Sequence, residues 1–292
     1  MNSGDGGGRL GLRPANPLGG TLLSYLYSAH IGYLFTELPF AERIRAAATL
    51  GFAAVEFPSP YGIPARQMAQ WLGEVGVRYT QFGVYAGDAG KGEKGIAMFP
   101  ERRAEFHESV AAALDYAEII GTRMLHVMSG ILKAEDRKPH HRQCYIDNLA
   151  FAARQAAERG MDIIVEPMSA AAVPDYFVET PATAASIISE TGQSNIGLLL
   201  DVFHTASIGQ HIAETIESLG MQILHVHLAD FPGRHEPGTG NIDFLAIERA
   251  LEKVGYRGLL GCEYTPSIDT ETSLRWFVAQ NEIANFVPIV GA

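Results

Sequence analysis

The chain has 292 residues, 47% of them hydrophobic, which is enough for a large core within one domain. Its formal charge of −11, from 22 basic and 33 acidic residues, gives poor electrostatic attraction to nucleic acid or to an anionic membrane. Two cysteines, Cys144 and Cys262, make no disulfide scaffold and suit a reducing cytoplasm, and no run is apolar enough to span a membrane.

The opening residues, 1–20, are rich in Gly, Pro and Asn and read as a flexible tail. The apolar stretch from Leu22 to Phe35 is broken by Ser24, Ser28 and His30, so it reads as a strand and not as a signal peptide. Short apolar runs then recur near 53–57, 78–84, 123–128, 162–166, 196–201, 222–228 and 258–263. Segments of helical periodicity separate them. Residues 41–51, 101–121 and 139–160 are amphipathic and each ends at a glycine suited to a cap. The helix over 180–192 has Thr180 as N-cap and Pro181 at its first position, and those over 243–255 and 269–281 each open on an aspartate.

Strands that alternate with helices imply a parallel sheet. Eight such units over residues 21–292 fit a single closed (β/α)₈ TIM barrel. A doubly wound open sheet is the rival, but no Gly-rich nucleotide fingerprint follows the first strand. In a barrel the active site lies at the C-terminal ends of the strands, so the polar residues there carry the most information.

The fifth strand, "DIIVEP", ends in Glu166, and the sixth, "IGLLLDVFH", ends in Asp201 with His204 three residues on. The seventh, "ILHVHLAD", carries His227, and the eighth, "LLGCEY", ends in Glu263. Neighbouring strands lie about 4.8 Å apart, so four consecutive strands can bring these side chains to one point. Three carboxylates so placed repel one another, and a divalent cation resolves the repulsion. Three oxygen ligands and one imidazole suit Mg²⁺ or Mn²⁺, with Co²⁺ as a substitute. Taken singly, a carboxylate at a strand end is most often a cap or an ion-pair partner. It is the run of four that favours a metal site.

Around this set, His204 can bond a substrate oxygen or cap the helix after it. His126 is divided between core and pocket. His225 is read as a core histidine satisfied by a neighbour, and Glu56, at the end of the second strand, as a group that supports the ligands from behind in preference to a catalytic one. The Gly- and Pro-rich loop 229–244 carries Arg234, whose fork suits a carboxylate or vicinal hydroxyls. Residues 91–95, "KGEKG", within a loop over 85–100, form either a mobile flap or a solvated turn.

From about residue 31 to 265 the chain resembles the hydroxypyruvate isomerase family, within the xylose-isomerase-like barrels. The resemblance rests on "LHVMSG", "EPM", "GCEY" and above all "HVHLADFPGRHEPGTGNIDF". It implies a divalent metal and an acid–base couple at Glu166 and Glu263, working through an enediolate on a small hydroxy-keto acid or sugar. Arg234 would then hold the carboxylate of a hydroxypyruvate-like substrate. Three positions depart from the family pattern, with Ser169, Leu199 and Ala206 replacing larger polar residues, and they bear on the substrate.

A ketose 3-epimerase on the same metal site is the alternative, although the run 169–173, "SAAAV", lacks the glutamate expected there. A metallo-endonuclease would need a histidine-rich cluster and a basic groove, and the charge opposes it. A barrel that binds its ligand without turnover would leave the glutamate pair unexplained. The expected partner is a small molecule, in the cytoplasm, with no nucleic acid or membrane; a homo-oligomer is compatible with such a barrel.

Overall fold

The computed structural model describes residues 25–277. The tail expected over 1–20 and the end of the helix expected over 269–281 lie outside them. The strands are β1 (Tyr27–His30), β2 (Ala54–Glu56), β3 (Arg78–Tyr79), β4 (Gln81–Gly83), β5 (Met124–His126), β6 (Asp162–Val165), β7 (Ile196–Asp201), β8 (Ile223–Leu228) and β9 (Leu260–Cys262). All pair in parallel, in the order β3-β2-β1-β9-β8-β7-β6-β5-β4.

Among the described residues nine strands stand where eight were expected, because the third stave is in two pieces. β3 pairs with β2 and β4 pairs with β5, with only Thr80 between them. Thr80 turns its hydroxyl to Ser28 Oγ at 2.6 Å, both groups being buried. Its own N–H continues the ladder to Val55 O at 2.9 Å. Eight staves therefore close the barrel, as the alternating pattern predicts.

The helices are α1 (Phe40–Thr49), α2 (Ala65–Val75), α3 (Arg103–Ile120), α4 (Pro139–Ala157), α5 (Pro181–Thr191), α6 (Val202–Ser207), α7 (Ile212–Leu219), α8 (Phe244–Lys253) and α9 (Thr270–Ser273). The expected caps form, with Thr180 accepting from Thr183 N–H, Asp243 from Ala246 N–H and Asp269 from Thr272 N–H. α4 buries Tyr145, Leu149, Ala152, Ala153 and Ala156, a stripe at helical spacing that packs on the strands. β7 is buried along its whole length, which explains why its sequence is a run of aliphatics and not an alternation. Each fully buried Leu or Ile of this kind contributes roughly 1.5–3 kcal/mol.

Register fixes what lies inside. Leu199 of β7 pairs with His225 of β8, so the two share a face, and both are buried in the barrel. Asp201 pairs with His227 one layer higher, toward the C-terminal rim. The interior is thus layered, with the polar layers uppermost.

Candidate active site

The C-terminal rim gathers every residue singled out at the strand ends. Glu166, Asp201, His227 and Glu263 each offer a ligand atom, and these atoms lie within 4.8 Å of one another. Cys262 is buried on the other face of its strand, away from the cluster. A cavity of about 340 Å³ opens above, lined by Glu166, His227, Glu263, His126, His204 and Arg234 among others. A larger hollow, about 790 Å³, lies at the opposite end of the barrel beside Tyr25, Arg78, Tyr256 and Arg257, away from the strand C-termini.

Asp201 has two tasks. Its Oδ1 accepts from the N–H groups of Phe203, at 2.7 Å, and His204, at 3.2 Å, and so caps α6. Its Oδ2 accepts from Arg234 Nη2 at 2.8 Å. The same Nη2 reaches Glu263 Oε2, also at 2.8 Å. Arg234 is thus clamped between two of the three carboxylates, with its guanidinium over the rings of Phe203 and Tyr33 at 4.9 and 5.6 Å. Removing one partner of so buried a pair costs about 3–5 kcal/mol.

The loop after β8 is folded to hold that arginine. Asp230 accepts four backbone N–H groups, from Phe231, Ile242, Gly238 and Gly240. Arg234 itself has φ +54, the left-handed region that a non-glycine residue enters only when its surroundings compel it. Its N–H is tied to Asp230 O at 2.9 Å, and its carbonyl accepts from Thr265 N–H at 2.9 Å. Glu236, buried beside it, accepts from the backbone N–H of Ser267 at 3.0 Å.

Beneath the cluster lies a layer of hydrogen-bonded polar groups. Glu56 Oε2 pairs with His225 Nε2 at 2.9 Å and accepts from Gln81 Nε2 at 3.2 Å, and His227 Nε2 stands 3.4 Å from it without hydrogen-bond geometry. His225 is therefore the satisfied core histidine that its position predicts. Gly261 makes room for this layer, since a Cβ there would stand 2.2 Å from Glu56 Oε1. On the other side of His227, Nδ1 lies 2.9 Å from Glu263 Oε2, also without a hydrogen bond of good geometry, so both ring nitrogens are buried and open to another partner.

Burial and mutual charge pull these groups apart. Burial, with the charge of Glu263 next, pushes Glu166 up to about 8. Burial pushes Glu263 up as well, but His227, His30 and Arg234 outweigh it and hold that carboxyl well below the ordinary range. Burial alone lowers His227, yet Glu263 and Glu56 raise it well above the usual imidazole value. Burial lowers His126 to about 3 and also lowers His204, so both are neutral near pH 7. His204 Nδ1 lies 3.1 Å from Ser169 Oγ, and its Nε2 is 3.9 Å from Glu166 Oε1. His126 Nε2 is buried without a hydrogen-bond partner, 3.9 Å from Glu166 Oε2.

Four site residues escape the sequence reading. His30, at the end of β1, lies 3.3 Å from Glu263 Oε1, and the strand-end rule applied to the first strand finds it. Gln81 stands behind the ligands through Glu56, as above. Tyr33 and Lys94 line the cavity from loops, where no periodicity marks them.

The donor set fits a hard divalent cation. It joins three carboxylates to one imidazole whose ring nitrogens are buried and without a hydrogen bond of good geometry, the hard-oxygen-plus-imidazole combination that such ions take.

Comparison with known proteins agrees with this fold. The family model for the xylose isomerase-like TIM barrel matches residues 44–280. The 2-oxo-tetronate isomerase of Cupriavidus necator is 33% identical over 250 residues, covering 86% of this chain and 96% of the relative. The hydroxypyruvate isomerase of Escherichia coli is 31% identical over 250 residues, covering 86% and 97%. Among solved structures, a Brucella melitensis protein named AP endonuclease, family 2, is 35% identical with a TM-score of 0.85, covering 87% of this chain and 98% of its own. D-psicose 3-epimerase of Clostridium cellulolyticum, with a TM-score of 0.72 at 17% identity and coverage of 90% and 99%, shares the fold. The chain belongs to the xylose isomerase-like TIM-barrel family, within the group of isomerases that includes the hydroxypyruvate isomerases.

Proposed function

We propose that the protein is a divalent-metal-dependent isomerase of small hydroxy-keto acids, of the hydroxypyruvate or 2-oxo-tetronate type. The convergence of Glu166, Asp201, His227 and Glu263 within 4.8 Å carries this reading. The names of the relatives supply the substrate class. Glu166, Asp201, His227 and Glu263 would hold Mg²⁺ or Mn²⁺, with Co²⁺ as a laboratory substitute. When bound, the cation supplies positive charge against the negative charge that develops on neighbouring substrate oxygens.

The remaining chemistry belongs to the chain. Glu166 and Glu263 act as a proton-transfer couple at the reacting carbons. One carboxylate takes the proton from C3 of a 2-oxo-3-hydroxy acid, and the C–H electron pair moves into an enediolate. The other returns a proton to C2, while the proton on O3 passes to O2. The product is a 3-oxo-2-hydroxy acid, with no net gain or loss of atoms. His126 is neutral and its unpartnered Nε2 hydrogen-bonds a substrate oxygen without adding charge, while neutral His204 lines the cavity beside it and would have to give up its contact with Arg234 Nη1, at 3.3 Å, to do the same. Arg234 steadies Asp201 and Glu263, and its buried Nε has no partner and is a donor for a substrate oxygen.

Two other readings are weaker. A ketose 3-epimerase would share the glutamate couple, but that reading draws on a likeness of fold alone. A nuclease, which the name of the Brucella protein suggests, would have to attract DNA with a net charge of −11.

Assay of the purified protein on hydroxypyruvate and on 2-oxo-tetronate, with Mn²⁺ and with chelator, tests the reading. Glu263→Gln should lower turnover about 10²–10⁴-fold in a protein that remains folded by circular dichroism, although its melting temperature falls with the loss of the Arg234 pair. Wild-type turnover in Glu263→Gln, or turnover indifferent to chelation, would remove it.

A further inference from the structure

A small keto acid carries a carboxylate that needs a cationic partner, and two arginines or lysines line the cavity among the described residues, Arg234 and Lys94. Arg234 is already committed, since its Nη2 lies 2.8 Å from both Asp201 Oδ2 and Glu263 Oε2. A two-armed carboxylate clamp would take Nη2 from those two groups, and the unpartnered Nε alone offers a single donor. Lys94 has no ion pair or side-chain hydrogen bond among the described residues. Its charged neighbours do: Lys91 lies 3.4 Å from Asp88, and Glu93 lies 2.8 Å from Arg102.

The loop that carries Lys94 is stapled by its own contacts. Gly95 N–H donates to Ala86 O at 2.7 Å and closes the loop across its neck. Glu93 Oε2 accepts from Asp88 N–H at 2.7 Å, and Asp88 Oδ1 accepts from Gly90 N–H at 2.9 Å. Gly95 has φ +111 and packs so close to Met128 O that a Cβ would stand 2.3 Å away, so only glycine fits this crossing. The residue next to Lys94 is thereby fixed against the segment after β5, and the lysine is presented at the cavity wall. The ion pairing of its neighbours leaves it as the uncompensated positive charge of that wall.

We propose that Lys94 receives the carboxylate of the substrate and so selects small keto acids over neutral ketoses of similar size. The location of the substrate rests on the isomerase reading above. An ammonium on a flexible stem acts as a point charge, which suits a carboxylate at the mouth of a site whose far end is occupied by the glutamate couple.

Calorimetric titration in the presence of Mn²⁺ tests this without turnover. The probes are D-glycerate, which carries a carboxylate, and dihydroxyacetone, which is neutral. Lys94→Gln should weaken glycerate binding about tenfold, and Lys94→Arg should restore most of it, since both retain the shape but only one retains the charge. Dihydroxyacetone affinity should stay level across the three proteins. For hydroxypyruvate, Lys94→Gln should raise KM with a far smaller change in kcat, the pattern of lost uniform binding.

Equal glycerate affinity in wild type and Lys94→Gln overturns the proposal. So does an equal loss for both probes, or a wild type that prefers dihydroxyacetone. Lys94-dependent glycerate binding without isomerisation of either keto acid would sink the isomerase reading and leave this inference standing. Turnover with unchanged KM in Lys94→Gln would do the reverse.

Discussion

Glu56 sits one layer below the acidic cluster, bonded to His225 at 2.9 Å and 3.4 Å from Nε2 of His227. The ring of His227 thus turns Nε2 toward Glu56 and Nδ1 toward Glu263 in the cluster. A carboxylate behind a ligand histidine fixes ring orientation and tautomer. Glu56→Gln should therefore weaken Mn²⁺ binding about 10- to 100-fold, measured by calorimetry without substrate, with the fold retained. An unchanged Kd would show that other contacts orient His227. The supporting place of Glu56 was legible because it ends the second strand, as the ligands end theirs. His30 obeys the same rule at the first strand, although the sequence reading passed over it. Lys94 was not legible. Its meaning depends on which neighbours pair with which, namely Asp88 with Lys91 and Glu93 with Arg102. No local pattern encodes that.

Strand ends were the most readable elements. An aliphatic run followed by a carboxylate, as in β6 with Glu166 or β7 with Asp201, marks where the chain leaves the barrel for the polar rim. The caps at Thr180, Asp243 and Asp269 were readable for a similar reason, since a short oxygen-bearing side chain before a helical stretch satisfies its first N–H groups. The break in the third stave was not readable. It arises at Thr80, whose partner Ser28 is 52 residues away in sequence. The two helices after β7, α6 and α7, reflect the double use of Asp201, which ends a strand and caps a helix at once. The loop after β8 could be marked as shaped from its glycines and prolines. The hub that shapes it, Asp230, emerges only when its four backbone donors are seen together. Of the three departures from the family pattern, Leu199 lies in the barrel beside His225 and Ser169 contacts His204. Neither Ser169 nor Leu199 disturbs the convergence of the four ligand atoms.

At the scale of the molecule, the buried charges at the rim link stability to pH. Burial first, then Glu263, raises Glu166 from 4.5 to about 8, and His227 is raised because its two carboxylates outweigh its burial. Both groups hold protons in the fold that they would release when unfolded. Their stabilisation is thus full below their unfolded pKa values and is lost as pH rises through the folded ones. Glu263 and Glu56 are shifted down, so their contribution is lost only in acid, below the ordinary 4.5. The melting temperature of the metal-free protein should fall from about pH 5 to about pH 8. Mn²⁺ should reverse the fall, more strongly at the upper end, because the cation takes the place of those protons. Glu166→Gln should flatten the slope, which separates this effect from Glu248, raised to about 7 by burial and by Glu252. A metal-free melting temperature that rises over this range would contradict the linkage. Among the described residues no helix is long and apolar enough to cross a membrane.

Solvent exchange at carbon is the measurement that bears most directly on the glutamate couple. Hydroxypyruvate is incubated with the Mn²⁺-loaded protein in D₂O, and deuterium at C3 is followed by NMR. Wild type should incorporate deuterium there, and both Glu166→Gln and Glu263→Gln should lose that exchange while remaining folded. Exchange that persists in either variant, or wild type that binds Mn²⁺ yet exchanges neither hydroxypyruvate nor 2-oxo-tetronate, would contradict a proton transfer carried by these two residues.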